Sequence, residues 1–264
     1  MQPCASVREC PPTGKHVEAP DGSTLHNLRS VTLPAPDLDV HLMRLDVDAQ
    51  QVEQCAMLLS ADERARAKRF HFARDRRRFT VARATLRTLL GEQTGQSPAA
   101  IVFAQTRHGK PYLKSPATTL HFNVSHSAEC AIFALSKSCV VGVDIERLER
   151  NVDHAEIAQR FFAPREYADL QRLPAAGRKR AFLACWTCKE AIVKAIGEGL
   201  QLPLNKIEVT IATDAEPRIL RVPSGQLADW SLYRVDAGRD YVATVAAYRG
   251  PRAAIIPAPE RDAD

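Results

Sequence analysis

Val140-Val141-Gly142-Val143-Asp144-Ile145-Glu146 is a run of apolar residues that ends in two acids. A short apolar run of this kind reads as a buried strand. Alternate side chains of a strand share a face. Val141, Val143 and Ile145 therefore form one apolar face, and Asp144 and Glu146 project together from the other, with Gly142 leaving space beside them. Two neighbouring carboxylates repel unless a cation or a proton lies between them. The pair reads either as a solvated strand end or as part of a metal site.

On the C-terminal side the pattern turns helical from about residue 154, over Ile157 to Phe162, Pro164 to Leu173 and Arg178 to Ile196. Strand patterns return at Ile207 to Ile211, Ile219 to Val222, Trp230 to Val235 and Tyr241 to Ala247. On the N-terminal side, ordered structure is expected to begin near Val40, with strand alternation through Leu45. Ser60-Ala61-Asp62-Glu63 has the form of a capping box, which opens helices over about 61–70 and 75–93, with Gly91 and Gly95 marking the end. Short strands follow at Ile101 to Ala104, His121 to Ser125 and Ala131 to Leu135, with a turn at Arg107 to Pro111. Strand, helices and strands thus occur twice in the same order. An α+β chain of two halves of similar plan is expected: residues 40–139 and 140–249, joined near 136–142, with an irregular leader at 1–39 and a tail at 250–264.

Bulk properties bound the functions on offer. The 264 residues are 45% apolar and 25% charged, enough for a substantial core and against wholesale disorder. No apolar run reaches the roughly 18 residues of a membrane-spanning helix, and the first 20 residues show no secretory signal. Seven cysteines at irregular spacing argue against a secreted disulfide scaffold and for free thiols in the cytoplasm. The net charge of +5, from 36 basic and 31 acidic residues, permits an anionic partner without demanding one. Much of the excess lies between Asp62 and Leu90, where ten Lys or Arg face three acids. That segment is either a solvated helix face or a phosphate-binding surface, since the arginine fork suits phosphate oxygens.

Two further segments could carry chemistry. In Trp186-Thr187-Cys188-Lys189-Glu190-Ala191-Ile192-Val193-Lys194, helical spacing puts Trp186, Glu190 and Lys194 on one face. Glu190 and Lys194 read as a surface ion pair or, because the segment is otherwise apolar, as buried charges in need of partners. In Phe122-Asn123-Val124-Ser125-His126-Ser127, a histidine flanked by serines could donate to an anion or be an ordinary turn residue. Cys185-Trp186-Thr187-Cys188 has no matching second ligand pair for zinc and lies inside a predicted helix, so it reads as structural thiols. A glycine-rich phosphate loop, a G-x-S-x-G elbow and an H-E-x-x-H helix are all lacking.

Taken in order, Gly109-Lys110-Pro111, Phe122 to Ser127, Gly142 to Glu146, and Trp186 to Glu190 with Lys194 resemble the signature set of the 4′-phosphopantetheinyl transferases. The length resembles that of their larger, two-halved Sfp-like class. The resemblance spans about residues 40–248. Each motif alone is weak, whereas four in order and spacing are specific. The resemblance implies two pseudo-symmetric α/β halves with the active site, and coenzyme A, in the cleft between them. It implies transfer of phosphopantetheine from coenzyme A to a serine of an apo acyl or peptidyl carrier protein, with adenosine 3′,5′-bisphosphate as the other product.

The resemblance also assigns residues. Asp144, Glu146 and Glu190 correspond to ligands of Mg²⁺, Lys194 and His126 to contacts with the pyrophosphate, and Glu190 to a general base. Ser125 belongs to the same group, and Lys189 could serve a phosphate from another side of the helix. Arg66 and Arg78 fall near positions that bind the 3′-phosphate of coenzyme A, and Lys110 lies in the adenine-side turn. The family often carries lysine where Arg66 stands, and Glu63 replaces a basic residue of some members. Phe161-Phe162-Ala163-Pro164-Arg165-Glu166-Tyr167 matches a family segment near the carrier-binding edge. A carrier is acidic, which suits a mildly basic enzyme.

A monomer that binds neither nucleic acid nor membrane is expected. Asp144, Glu146 and Glu190 have no purpose in a nucleic-acid binder, and aromatics at 6% are sparse for base stacking. The remaining alternative is a non-catalytic module that binds coenzyme A or a carrier protein.

Overall fold

A computed structural model describes residues 27–149, 153–211 and 215–251. In chain order the first half holds β1 (Leu28–Val31), β2 (Asp39–Arg44), α1 (Ala49–Met57), α2 (Ala61–Lys68), α3 (Ala73–Thr94), β3 (Val102–Gln105), β4 (Pro111–Ser115), β5 (His121–Ser127) and β6 (Cys130–Ser136). The second holds β7 (Val140–Arg147), α4 (His154–Phe161), α5 (Pro164–Arg172), α6 (Ala175–Ile196), β8 (Glu208–Val209), β9 (Ile219–Arg221), β10 (Trp230–Val235) and β11 (Tyr241–Tyr248).

The halves repeat one plan. In each, a strand leads through two shorter helices to a helix of 22 residues, then a two-stranded ribbon, then an antiparallel strand pair. Both 22-residue helices stop at a left-handed glycine, Gly95 at φ 69° and Gly197 at φ 87°, a conformation that glycine adopts without strain. Among the described strands the first half forms a sheet in the order β1-β2-β6-β5 and the second a sheet in the order β10-β11-β7, both antiparallel.

Packing joins the halves. Leu86, Leu89 and Leu90 of α3 bury against Phe122, Phe133 and Leu135 of the first sheet. Helix α6 buries Phe182, Leu183, Ile192 and Ile196 with Val242 and Ala246 of β11. The opposite faces of both sheets share a single core in which Val40, Leu42 and Ile132 meet Val141, Val143, Ile145 and Val245. This is the apolar face read from the β7 sequence.

Gly142 serves a different purpose from the one the sequence suggested. A Cβ there would lie 2.0 Å from the Ala191 carbonyl oxygen and 2.4 Å from the Ala195 nitrogen. The space beside the carboxylates is filled by the α6 backbone.

Strands β5 and β7 lie side by side at the junction, yet no backbone hydrogen bond joins them among the described residues. Side chains close the gap instead. The Val143 N–H donates to Asn123 Oδ1 at 3.0 Å, and the Arg147 N–H donates to Ser127 Oγ at 3.1 Å.

Several expectations need correction. The leader 1–39 is not irregular throughout, because β1 lies within it and pairs with β2 from Leu28↔Met43 to Val31↔Val40. The remainder of that leader up to residue 26, and the tail from 252, lie outside the described residues. Helix α1 was not anticipated; Asp48 caps it by accepting from the Gln51 N–H at 2.8 Å. Gly91 continues α3 rather than ending it. The Ser60 capping box forms as expected, and its Glu63 also holds the buried Arg87 at 2.7 Å. Among the described residues no helix is long and apolar enough to cross a membrane.

Candidate active site

A cleft of about 300 Å³ opens where the halves meet. Its walls are the His108 to Pro111 turn, Asn123 and Val124 of β5, and Glu190, Val193 and Lys194 of α6. The turn is tied to the end of α6. Lys110 lies over Gly197, where an added Cβ would meet its side chain at 2.9 Å, and Lys110 Nζ donates to the Ala195 carbonyl at 2.6 Å. A cation at a helix C-terminus satisfies an open carbonyl and complements the helix dipole.

Behind Lys194, which lines the cleft, β7, β5 and α6 converge on Asp144. Asp144 Oδ1 accepts from Lys194 Nζ at 2.6 Å and from Ser125 Oγ at 2.9 Å, and Lys194 also donates to Ser125 Oγ at 2.9 Å. Lys194 therefore pairs with Asp144 rather than with Glu190 one turn back. Asp144 is 4% exposed, and its Oδ2 is buried with no hydrogen-bond partner. Burial pushes the Asp144 carboxyl above its ordinary pKa, against the pull of Lys194 and Ser125.

Glu146, two residues on, accepts from Ser127 Oγ at 3.0 Å. Glu190 is half-buried. Its carboxyl is pushed upward by burial and by the negative charge of Asp144, with Lys194 opposing and Glu146 adding to the rise. Glu190 thus feels the charges of Asp144, Lys194 and Glu146 together.

His126 sits on β5 with its side chain at the open surface. Partial shielding of its ring, and then the Lys194 and Arg78 charges, hold its pKa below the usual value. Arg78 forks Asp46, with Nε to Oδ1 at 2.7 Å and Nη2 to Oδ2 at 2.6 Å. A guanidinium that holds a carboxylate in this way presents the geometry that also suits a phosphate.

Two of the expected residues stand apart. Lys189 does not reach the cleft, and its assignment to a phosphate is corrected. It is fully buried, with Nζ 2.6 Å from Glu166 Oε2 and 3.0 Å from the Leu204 carbonyl. Glu166 in turn accepts from the Ala163 and Val209 N–H groups at 2.7 and 2.8 Å. The pair fastens α5 and β8 to α6. Arg66 is exposed on α2 with its guanidinium 5.3 Å from the centre of the Phe79 ring. The CxxC thiols are buried and unpaired; burial pushes the Cys188 thiol to about 11 and the Cys185 thiol well above its ordinary value.

The sequence reading passed over the linking roles of Asn123 and Ser127. The signal was present: polar residues at 123, 125 and 127 alternate along the strand and so share one face.

The donor set fits a hard divalent cation. Carboxylates are hard oxygen donors, and the buried Oδ2 of Asp144 has no hydrogen-bond partner to satisfy it. Among the described residues no three acid, imidazole or thiolate groups are gathered closely enough to hold a metal ion by themselves. Lys194 supplies the positive charge at Asp144 in this arrangement. Mg²⁺ needs few protein carboxylates when phosphate and water complete its shell.

Comparison with known proteins finds relatives of both halves. Residues 140–246 match the 4′-phosphopantetheinyl transferase superfamily, and residues 47–138 match the family described as 4′-phosphopantetheinyl transferase, N-terminal. The 4′-phosphopantetheinyl transferase HetI of Nostoc sp. is 39% identical over 212 residues, 79% of this chain and 87% of that protein. A 4′-phosphopantetheinyl transferase of Bacillus subtilis is 32% identical, over 68% of this chain and 78% of its own length. The 4′-phosphopantetheinyl transferase Sfp of Bacillus subtilis strain 168 is 30% identical, over 72% and 83%.

Proposed function

The chain belongs to the 4′-phosphopantetheinyl transferase superfamily, and from that premise we propose that the cleft between its halves moves the phosphopantetheine arm of coenzyme A onto a serine of an apo acyl or peptidyl carrier protein. The observation that supports this most directly is that Lys194, which lines that cleft with Glu190, is bonded to Asp144 and Ser125 behind it.

The reaction forms a bond from the serine oxygen to the β-phosphorus of coenzyme A and breaks the bond to adenosine 3′,5′-bisphosphate. The serine proton must leave as the new bond forms. Glu190 takes it in this reading, from its place on the cleft wall one helical turn from Lys194. Lys194 and His126 hold the pyrophosphate oxygens, and the Lys194 charge offsets the negative charge that builds on the leaving group. Lys110 borders the adenine side of the cleft, and Arg78 with Arg66 takes the 3′-phosphate. Arg78 then exchanges the Asp46 carboxylate for a phosphate of similar geometry.

Asp144, Glu146 and Glu190 would hold Mg²⁺, which when bound neutralises pyrophosphate charge. A monomer suffices for this reading, because the cleft is complete within one chain. A cytoplasmic location is supported by five free, buried cysteines among the described residues. A silent coenzyme A-binding module is disfavoured, because such a module has no use for the acids that crowd Lys194.

The test is intact mass spectrometry of an apo carrier protein after incubation with the chain, coenzyme A and Mg²⁺, beside an EDTA control. A gain of one phosphopantetheine, absent with EDTA, is expected. No gain with acyl and peptidyl carriers of several kinds would overturn the reading.

A further inference from the structure

The seam between the two sheets contains a hydroxyl for which the proposed reaction has no direct use. Asn123, Ser125 and Ser127 alternate along β5 and reach β7 at Val143, Asp144, and Glu146 with Arg147. Ser125 is shared with Lys194 and belongs to the site already described. Ser127 is different. Its oxygen accepts the Arg147 N–H at 3.1 Å, and its hydroxyl donates to Glu146 Oε2 at 3.0 Å. A hydroxyl has one proton to give. The Arg147 N–H comes from the peptide that follows Glu146. One oxygen therefore grips the backbone just after Glu146 and the end of the Glu146 side chain together.

We propose that Ser127 is a positioning residue for the acid pair: it fixes the Glu146 carboxylate relative to β7 and so holds it in register with Asp144 for a divalent cation. The inference rests on the proposed function. Its physical basis is general. A half-exposed glutamate on a strand has several rotamers, and ordering it costs entropy that a preset hydrogen bond supplies in advance. The seam lacks a backbone ladder, so removal of the Ser127 hydroxyl takes this bond from Glu146 and this acceptor from the Arg147 N–H.

The experiment measures cation binding separately from turnover. Mn²⁺ is titrated into the chain with coenzyme A but no carrier protein, and free Mn²⁺ is followed by electron paramagnetic resonance. Wild type, Ser127→Ala and Ser127→Thr are compared, with thermal unfolding in EDTA as the check on folding. Ser127→Ala is expected to weaken Mn²⁺ binding about tenfold or more, and to raise the Mg²⁺ needed for half-maximal transfer by a similar factor. Ser127→Thr, which keeps the hydroxyl, is expected to recover most of the loss. A folded Ser127→Ala chain that binds Mn²⁺ like the wild type would overturn the role of Ser127 and leave the acid pair intact. A Thr variant that folds but stays as weak as Ala would also overturn it. Wild-type protein that binds no Mn²⁺ with coenzyme A present would overturn the acid-pair reading itself.

Discussion

Lys189 and Lys194 leave the same helix in different directions. Lys194 reaches Asp144 and Ser125 at the cleft, whereas Lys189 is sealed between Glu166 and the Leu204 carbonyl. Removing one member of a buried ion pair leaves an uncompensated charge and costs about 3–5 kcal/mol. Lys189→Met is therefore expected to lower stability by about that much in urea unfolding, while the KM for coenzyme A stays at the wild-type value at a temperature where the variant is folded. A raised KM in the folded variant would return Lys189 to the phosphate site. Helical spacing showed that the two lysines face different sides. It could not show that Lys189 meets Glu166, because that partner lies on another helix 23 positions earlier in the chain.

At the scale of elements, the closest contact is that of α6 with β7. It depends on the absence of a side chain at Gly142. The atoms that a methyl group would strike are backbone, so rotamer changes offer no relief. Gly142→Ala must push α6 away from β7, and with it Glu190 and Lys194. The expected cost exceeds about 3 kcal/mol, beyond the usual range for added methylenes in a core. Thermal unfolding and transfer activity check this, and a variant that melts and turns over like the wild type would refute the contact. The long elements were legible because their signals are local: the Ser60 capping box, the apolar run of β7 and the apolar face of α6 are each written in a few adjacent residues. Helix α1 carries its cap in Asp48 but presents a single buried residue, Cys55, so periodicity gave little sign of it. β1 was missed because four residues beside prolines resemble a loop until β2 pairs with them. In the site, the acids and Lys194 were legible from spacing and resemblance. Of the seam, the alternation of 123, 125 and 127 was legible, but not the strand that these side chains reach, because that depends on how two sheets meet.

Across the whole molecule, polar ties far from the cleft join the halves as well. Arg249, just past β11, forks Asp37 in the loop before β2, with Nε to Oδ2 at 3.0 Å and Nη2 to Oδ1 at 2.8 Å. Ser138, between the two sheets, also donates to Asp37 at 3.0 Å, and Arg29 of β1 donates to the Asp236 carbonyl at 2.6 Å. The Arg249 hydrogen bonds hold the Asp37 carboxyl below its ordinary pKa against the opposing effect of burial, with Ser138 helping. A carboxylate depressed in the folded state stabilises the fold above its unfolded pKa of about 3.9, and that contribution is lost as pH falls through the lower, folded value. Both side chains remain partly exposed, at 28% for Asp37 and 34% for Arg249, so solvent screens the pair. Asp37→Asn is expected to lose up to about 1 kcal/mol at neutral pH, with unchanged phosphopantetheine transfer because the pair lies outside the cleft. The gap between variant and wild type should narrow as pH drops well below about 4, where the wild-type carboxylate protonates as well. Urea unfolding of both proteins at neutral and acid pH measures it. A gap that persists at acid pH would mean that the charge on Asp37 contributes nothing to the joint between the halves.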